Sequence, residues 1–175
     1  MKKLFLEDLK RLSIEAYKQT EKIPVVVILD QVRSAMNVGS FFRTCDAFNV
    51  SKLYLVGITA TPPNREITKT AIGATESVAW EYRESIADLL IELRKNDYNI
   101  IAVEQTDQSI LLNDFELSDQ KYALIFGNEV DGVSEGALEL CDFAIEIPQM
   151  GTKHSLNVSV CGGVVIWEFF KNFLN

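Results

Sequence analysis

Four polar clusters follow apolar runs in this 175-residue chain: Asp30–Arg43, Glu104–Asp107, Gly127–Gly132 and Gln149–Asn157. In open α/β sheets the ligand crevice lies outside the carboxyl ends of the strands, so their convergence there is the first functional signal. The side chains they offer are suited to positioning and charge stabilisation: Asn37, Arg43, Glu129, Ser155 and Asn157. A metal centre is not expected. The chain has one His, and Cys45, Cys141 and Cys161 are far apart without C-x-x-C spacing. His154 is a lone loop histidine and is read as a surface residue. The dinucleotide fingerprint G-x-G-x-x-G and the phosphate loop G-x-x-x-x-G-K-[ST] do not occur, so the site must be of another kind.

The elements that would carry these clusters are legible from hydrophobic pattern. Pro24–Leu29 is a β-branched run expected as a strand covered on both faces, and Asn37 is a candidate cap for a helix running to about Phe48. Further strands are expected at Lys52–Val56, Val78–Tyr82, Asn99–Val103, Tyr122–Phe126 and Phe143–Ile147, with Ser109–Leu112 a short segment. Helices are expected at about Ile67–Ile72, Glu84–Asn96 and Ser134–Leu140. The final helix is capped by Ser155 or Asn157. It is apolar nearly all round to Phe170, which implies burial partly in its own core and partly against a partner. Gly162 and Gly163 in it allow close backbone approach. Near the N-terminus, Phe5, Leu9, Leu12 and Ala16 form an amphipathic pattern flanked by Lys10, Arg11 and Lys18, followed by a linker at Thr20–Lys22. Strands alternating with helices predict an α/β fold with a mostly parallel sheet.

Composition sets the bounds. With 47% hydrophobic and 24% charged residues, the chain reads as one globular domain. No apolar run reaches the roughly 18–20 residues of a membrane span. Glu7 and Asp8 do not fit a secretory leader, and the three unpatterned cysteines predict a reduced, cytoplasmic protein. The net charge of −8 argues against a broad polyanion-binding surface, so any nucleic-acid contact must be local. Residues 1–22 hold six Lys/Arg against four Asp/Glu, which leaves −10 on the remainder.

Three segments together resemble the SpoU (TrmH-type) branch of the SPOUT superfamily of RNA methyltransferases. Asn37-Val38-Gly39-Ser40-Phe41-Phe42-Arg43 is similar to its N-x-G-x-x-x-R. Leu124-Ile125-Phe126-Gly127-Asn128-Glu129-Val130-Asp131-Gly132 is similar to its apolar strand followed by G-x-E-x-x-G. Ile147-Pro148-Gln149, continuing to Ser155-Leu156-Asn157-Val158-Ser159, is similar to its I-P and S-L-N-V-S pair. Order and strand context agree from Pro24 to the C-terminus. Ala102–Thr106 and Ile166–Glu168 look most like members that methylate a ribose of tRNA.

The resemblance implies a mostly parallel sheet flanked by helices with a C-terminal deep trefoil knot, and an obligate homodimer. Residues 1–22 would be an N-terminal helical extension that either docks RNA or packs on the core, and 23–175 the SPOUT methyltransferase domain. It implies S-adenosylmethionine as cofactor, held by Val103, Glu104, Gly127, Ile147, Ser155 and Leu156. The acceptor would be a ribose 2′-hydroxyl of RNA, tRNA before rRNA. Catalytic positions carried over are Arg43, Asn37, Glu129, Ser155 and Asn157.

Such a transfer is an in-line displacement in which alignment matters greatly and a hydroxyl proton must leave. An arginine stays protonated in proteins, so Arg43 is expected to hold a phosphate and stabilise the developing alkoxide rather than act as a base. Glu129 is expected to pair with Arg43 across the site or across the dimer. Arg33, Arg43, Arg65 and Lys69 are the expected RNA contacts, forming a basic dimer cleft in an otherwise acidic protein of pI about 4.7. The alternative is a catalytically idle knotted dimer that only binds RNA or a protein.

Overall fold

The computed structural model describes residues 1–9 and 11–174. β1 (Ile23–Asp30) forms at the expected β-branched run, because Val and Ile side chains suit a pleated surface covered on both faces. Its residues alternate between two core layers: Val25, Val27 and Leu29 enter one, Val26 and Ile28 the other, and all five are buried.

β2 (Val50–Val56) and β3 (Trp80–Arg83) continue the sheet on one side of β1. On the other side come β6 (Lys121–Phe126), β4 (Tyr98–Val103), β7 (Phe143–Glu146) and β5 (Ile110–Leu111). Among the described residues these seven strands form one sheet in the order β3-β2-β1-β6-β4-β7-β5, and every pairing is parallel. All carboxyl ends therefore share one edge. Asp30, Val103, Phe126 and Glu146 bring the four polar clusters together there, as the sequence predicts.

On one face of the sheet lie α2 (Ala35–Ala47), α3 (Arg65–Ala71), α4 (Ala74–Ser77) and α7 (Val158–Asn172), contributing Phe41, Phe42, Ile67, Ala74 and Phe169 to the core. α5 (Ile86–Lys95) and α6 (Glu135–Leu138) cover the other face through Leu89, Leu90, Leu93 and Ala137.

α7 buries Gly162, Val165, Ile166 and Phe169, while Val160, Val164 and Trp167 stay 55%, 42% and 43% exposed. It is half covered within one chain. A Cβ at Gly162 would strike the Phe41 ring, so this glycine lets α7 lie on α2; a Cβ at Gly163 would meet nothing within 4 Å. Close approach thus needs only the first of the pair.

The expected amphipathic helix over Phe5–Ala16 does not form as one unit. The Phe5 N–H donates to Asp8 Oδ2 at 2.8 Å, closing a 3-10 turn over Leu6–Leu9. Ser13 then starts a separate α1 (Ile14–Gln19) by accepting from the Ala16 N–H at 3.2 Å. Phe5, Leu9 and Leu12 are exposed, and Lys10 lies outside the described residues. Thr20–Lys22 joins α1 to β1 as a short connecting segment, and it is anchored. Lys22 Nζ donates to the Tyr17 carbonyl at 2.7 Å and to Asn49 Oδ1 at 2.8 Å, fastening the segment to the start of β2.

Among the described residues no helix is long and apolar enough to cross a membrane, and no His, Cys, Asp and Glu group has metal-holding geometry.

Candidate active site

The site begins at the first turn of α2. Ser34, not Asn37, caps this helix: its hydroxyl accepts from the Asn37 N–H at 3.3 Å. The correction has a consequence, since Asn37 sits inside the first turn with its side chain free to act elsewhere. Its Nδ2 donates to Glu129 Oε1 at 2.9 Å. The N–H groups of Arg33 and Ser34 donate to Glu129 Oε2 and Oε1, both at 3.1 Å. A carboxylate at the positive end of a helix, receiving its unpaired N–H groups, is favourably placed. Burial pushes the Glu129 carboxyl up, but the Asn37 amide and the two N–H groups more than offset this. It ends below the ordinary carboxylate value.

Asn157 caps α7, its Oδ1 accepting from the N–H groups of Ser159 at 3.0 Å and Val160 at 3.3 Å. Its Nδ2 donates to Asn37 Oδ1 at 3.3 Å. Glu129, Asn37 and Asn157 therefore form one hydrogen-bonded line across all three family-like segments. Ser155 is not the cap; it lines the neighbouring cleft.

That cleft, of about 480 Å³, opens where β4, β6 and β7 end. All six residues expected to hold the cofactor line it: Val103, Glu104, Gly127, Ile147, Ser155 and Leu156. Glu129 and Asn157 form part of the same wall. A Cβ at Gly127 would collide with the backbone of Gly132 and Val133, so only glycine lets the loop fold back beside the cleft. Both Glu104 oxygens are already engaged, accepting from the N–H groups of Gln105 and Val133 at 2.9 Å each.

Sequence reasoning passed over several members of this wall. Asn128 pins its own loop, accepting from the Val130 N–H at 2.8 Å and donating to the Gln31 carbonyl at 2.8 Å. Gln105 donates to the His154 carbonyl at 3.0 Å, and His154, exposed as expected, also lines the cleft. Cys161 lines it too, its thiol pushed up to about 11 by burial and the nearby Glu104 charge. Gln105, Asn128, Gln149 and His154 carried a signal only as members of the polar clusters after the strands, and Cys161 carried none.

Arg43 is elsewhere. It is exposed and lines a second hollow with Lys69, Thr70 and Ile72 on one side and Ser40, Thr44 and Phe48 on the other. Within one chain Glu129 pairs with Asn37 and the start of α2 rather than with Arg43. The physical reason is helix geometry: Glu129 meets α2 at its N-cap Ser34, nine residues before Arg43, about 13 Å along the axis at 1.5 Å per residue. For the same reason one chain does not unite the four expected RNA contacts. Arg43 and Lys69 share the second hollow and Arg65 is one turn before Lys69 on α3, but Arg33 stays by Glu129. The Arg33 side chain makes an exposed 3.9 Å pair with Asp131, of little energetic weight.

Residues 24–167 match the SpoU rRNA Methylase family. The chain belongs to this family. Among SpoU relatives it is 34% identical over 145 residues to the 23S rRNA (guanosine-2′-O-)-methyltransferase RlmB of Neisseria meningitidis, covering 83% of this chain and 57% of that protein. It is 31% identical over 152 residues to the mouse tRNA (guanosine(18)-2′-O)-methyltransferase TARBP1, covering 86% of this chain and 10% of that one. The chain thus spans less than two thirds of the length of these curated relatives. The structure of the A. aeolicus TrmH/SpoU tRNA modifying enzyme superposes with a TM-score of 0.81 at 26% identity, over 90% of this chain and 79% of that one. The AdoMet-bound rRNA methyltransferase of Sinorhizobium meliloti shares the fold, with a TM-score of 0.82 at 24% identity over 91% of this chain and 61% of that one.

Proposed function

We propose that this chain binds S-adenosylmethionine in the cleft at the ends of β4, β6 and β7 and methylates a ribose 2′-hydroxyl of RNA, tRNA before rRNA. The observation that carries the reading is convergence. Six residues nominated for the cofactor line one cleft of about 480 Å³, whose wall includes both ends of the Glu129–Asn37–Asn157 line. That volume falls within the range of small-molecule sites. The cleft also suits a ligand rich in polar edges, because residues 148–156 form no helix or strand that would occupy their backbone groups.

When bound, the cofactor supplies an electrophilic methyl group. The chain's own contribution is alignment and charge. Glu129, Asn37 and Asn157 fix the start of α2 against the start of α7, so an acceptor held between them meets the cleft at a set angle. Arg43, always protonated, grips a phosphate and offsets charge developing on the ribose oxygen. In one chain Arg43 lies in a different hollow from the cleft. The reading therefore takes a homodimer in which Arg43 of a second copy completes the site. The exposed stripe of Val160, Val164 and Trp167 on α7 supports such a partner. The deep trefoil knot, an N-terminal extension over residues 1–22 that docks RNA or packs on the core, the SPOUT domain over 23–175, and a cytoplasmic setting belong to the same reading.

Relatives' names support ribose chemistry and divide on the RNA, with 23S rRNA for RlmB and tRNA for TARBP1. Placing tRNA first leans on the A. aeolicus neighbour, a tRNA modifying enzyme, against the rRNA methyltransferase of Sinorhizobium meliloti.

Calorimetric titration with S-adenosylmethionine tests the site. The account expects one cofactor per chain, binding unchanged in Arg43→Ala and lost in Leu156→Arg, which puts a charge in the cleft. Absence of binding to the wild-type chain would leave the idle RNA- or protein-binding dimer as the better reading.

A further inference from the structure

The loop from Gly127 to Ser134 carries Glu129 and one wall of the cleft, yet it contains almost no regular structure of its own. Two carboxylates hold it from either side. Asp30 is the last residue of β1, and Glu104 directly follows β4. β6, from which the loop emerges, runs between those two strands. Glu104 Oε2 accepts from the Val133 N–H and Asp30 Oδ2 accepts from the Ser134 N–H, each at 2.9 Å. Consecutive amides are thus gripped by acids on opposite neighbouring strands.

The investment at Asp30 is unusual. It is fully buried, and its Oδ1 has no hydrogen-bond partner among the described residues; nor does the buried Ser134 Oγ. Burying a carboxylate with one oxygen unpartnered is costly, so the contact with the Ser134 N–H carries what Asp30 contributes here. What the contact fixes is the return of the loop, and the loop's other end presents Glu129 to the N–H groups of Arg33 and Ser34 and to the Asn37 amide.

We propose that Asp30 and Glu104 are positioning residues for methyl transfer, gripping the Ser134 and Val133 amides so that the 127–134 loop holds Glu129 against the start of α2. The inference rests on the functional reading above for its link to catalysis, but not for the grip itself. It assigns the Glu104 carboxylate to the protein's own backbone, leaving the backbone around Val103–Glu104 for the cofactor.

The two acids differ in a way that makes the idea testable. Asp30 uses one oxygen, so Asp30→Asn keeps an acceptor for the Ser134 N–H, and the new NH2 replaces an oxygen that has no partner. Glu104 uses both oxygens, so Glu104→Gln sets an NH2 against a backbone N–H. Asp30→Ala removes the acceptor altogether.

The experiment compares these three full-length variants with wild type, well below their melting temperatures. It reads kcat and KM for RNA and follows the Glu129 carboxyl by carbon NMR through an acid titration. Asp30→Asn should keep kcat within about threefold and leave the Glu129 titration in place. Asp30→Ala and Glu104→Gln should lower kcat by roughly ten- to hundredfold, because a gripped loop amide loses its acceptor and Glu129 its fixed position. In both, the Glu129 titration should move up toward the ordinary carboxylate value of 4.5. A general loss of stability would not move that titration selectively. Should Asp30→Ala fail to fold, the contrast between Asp30→Asn and Glu104→Gln carries the test. An unmoved Glu129 titration in Glu104→Gln, or an equal kcat loss in Asp30→Asn and Glu104→Gln, would overturn the proposal. If wild type methylated no RNA, the functional reading would fail while the titration still decided the grip.

Discussion

Asn37 donates its side-chain amide to Glu129 at 2.9 Å across 92 residues of sequence. It can do so only because Ser34 takes the capping role at the head of α2. The pair ties the first family-like segment to the second, and Asn157 brings in the third.

Glu129→Gln should leave the fold intact and lower methyl transfer by about ten- to hundredfold. The amide keeps one acceptor where the carboxylate serves three donors, and misplacement near the reacting groups is costly. Steady-state kinetics beside a circular dichroism spectrum measures both. A variant with wild-type turnover would remove Glu129 from the site.

The same carboxylate gives a pH signature. The folded-state value of Glu129 lies below its reference of 4.5, so its stabilising contribution is present above that pH and is lost as pH falls through the folded value. Glu129→Gln should therefore reduce the difference in Tm between pH 6 and pH 3, and leave Tm's dependence between pH 6 and 8 unchanged. Thermal melts across that range check it. The effect is modest because the group is largely solvent-screened.

Gly162 and Gly163 should respond oppositely to alanine. Gly162→Ala meets the Phe41 ring and should destabilise by about 1–3 kcal/mol, as overpacking does. Gly163→Ala meets nothing within 4 Å, and by helix propensity alone it should gain about 0.5–1 kcal/mol. Denaturant unfolding of the two variants reads the contrast directly. Equal losses would mean that a second surface packs on Gly163.

Cys161 should behave as a silent thiol. Its value of about 11 leaves almost no thiolate at neutral pH, so alkylation should be slow at pH 7.5 and rise close to tenfold per pH unit up to that value. Mass-resolved labelling separates it from Cys45 and Cys141. Bound cofactor should slow it further, because Cys161 lines the cleft.

Much of the fold was legible because its signals are local. β1 is a β-branched run, α5 an amphipathic period, and each polar cluster sits within a few residues of a strand end. What escaped was set by competition or by distance. Asn37 is a good cap in isolation and lost to Ser34, three residues earlier. The pattern Phe5–Ala16 suggested one helix, but Asp8 and Ser13 closed and reopened the backbone within it. Asp30 was legible as the head of a polar cluster after a strand. Its partner at Ser134 is 104 residues away, and no spacing rule connects them. Arg43 was legible as a residue type, whereas its separation from Glu129 within one chain needed the length of α2.

The most direct test is methyl transfer from labelled S-adenosylmethionine into tRNA and, separately, rRNA from cells lacking this gene, followed by nucleoside mass analysis. The account predicts a 2′-O-methylnucleoside in the tRNA pool, absent with Arg43→Ala. Label on a base rather than a ribose, or no label in either RNA from a chain that also binds no cofactor, would contradict it.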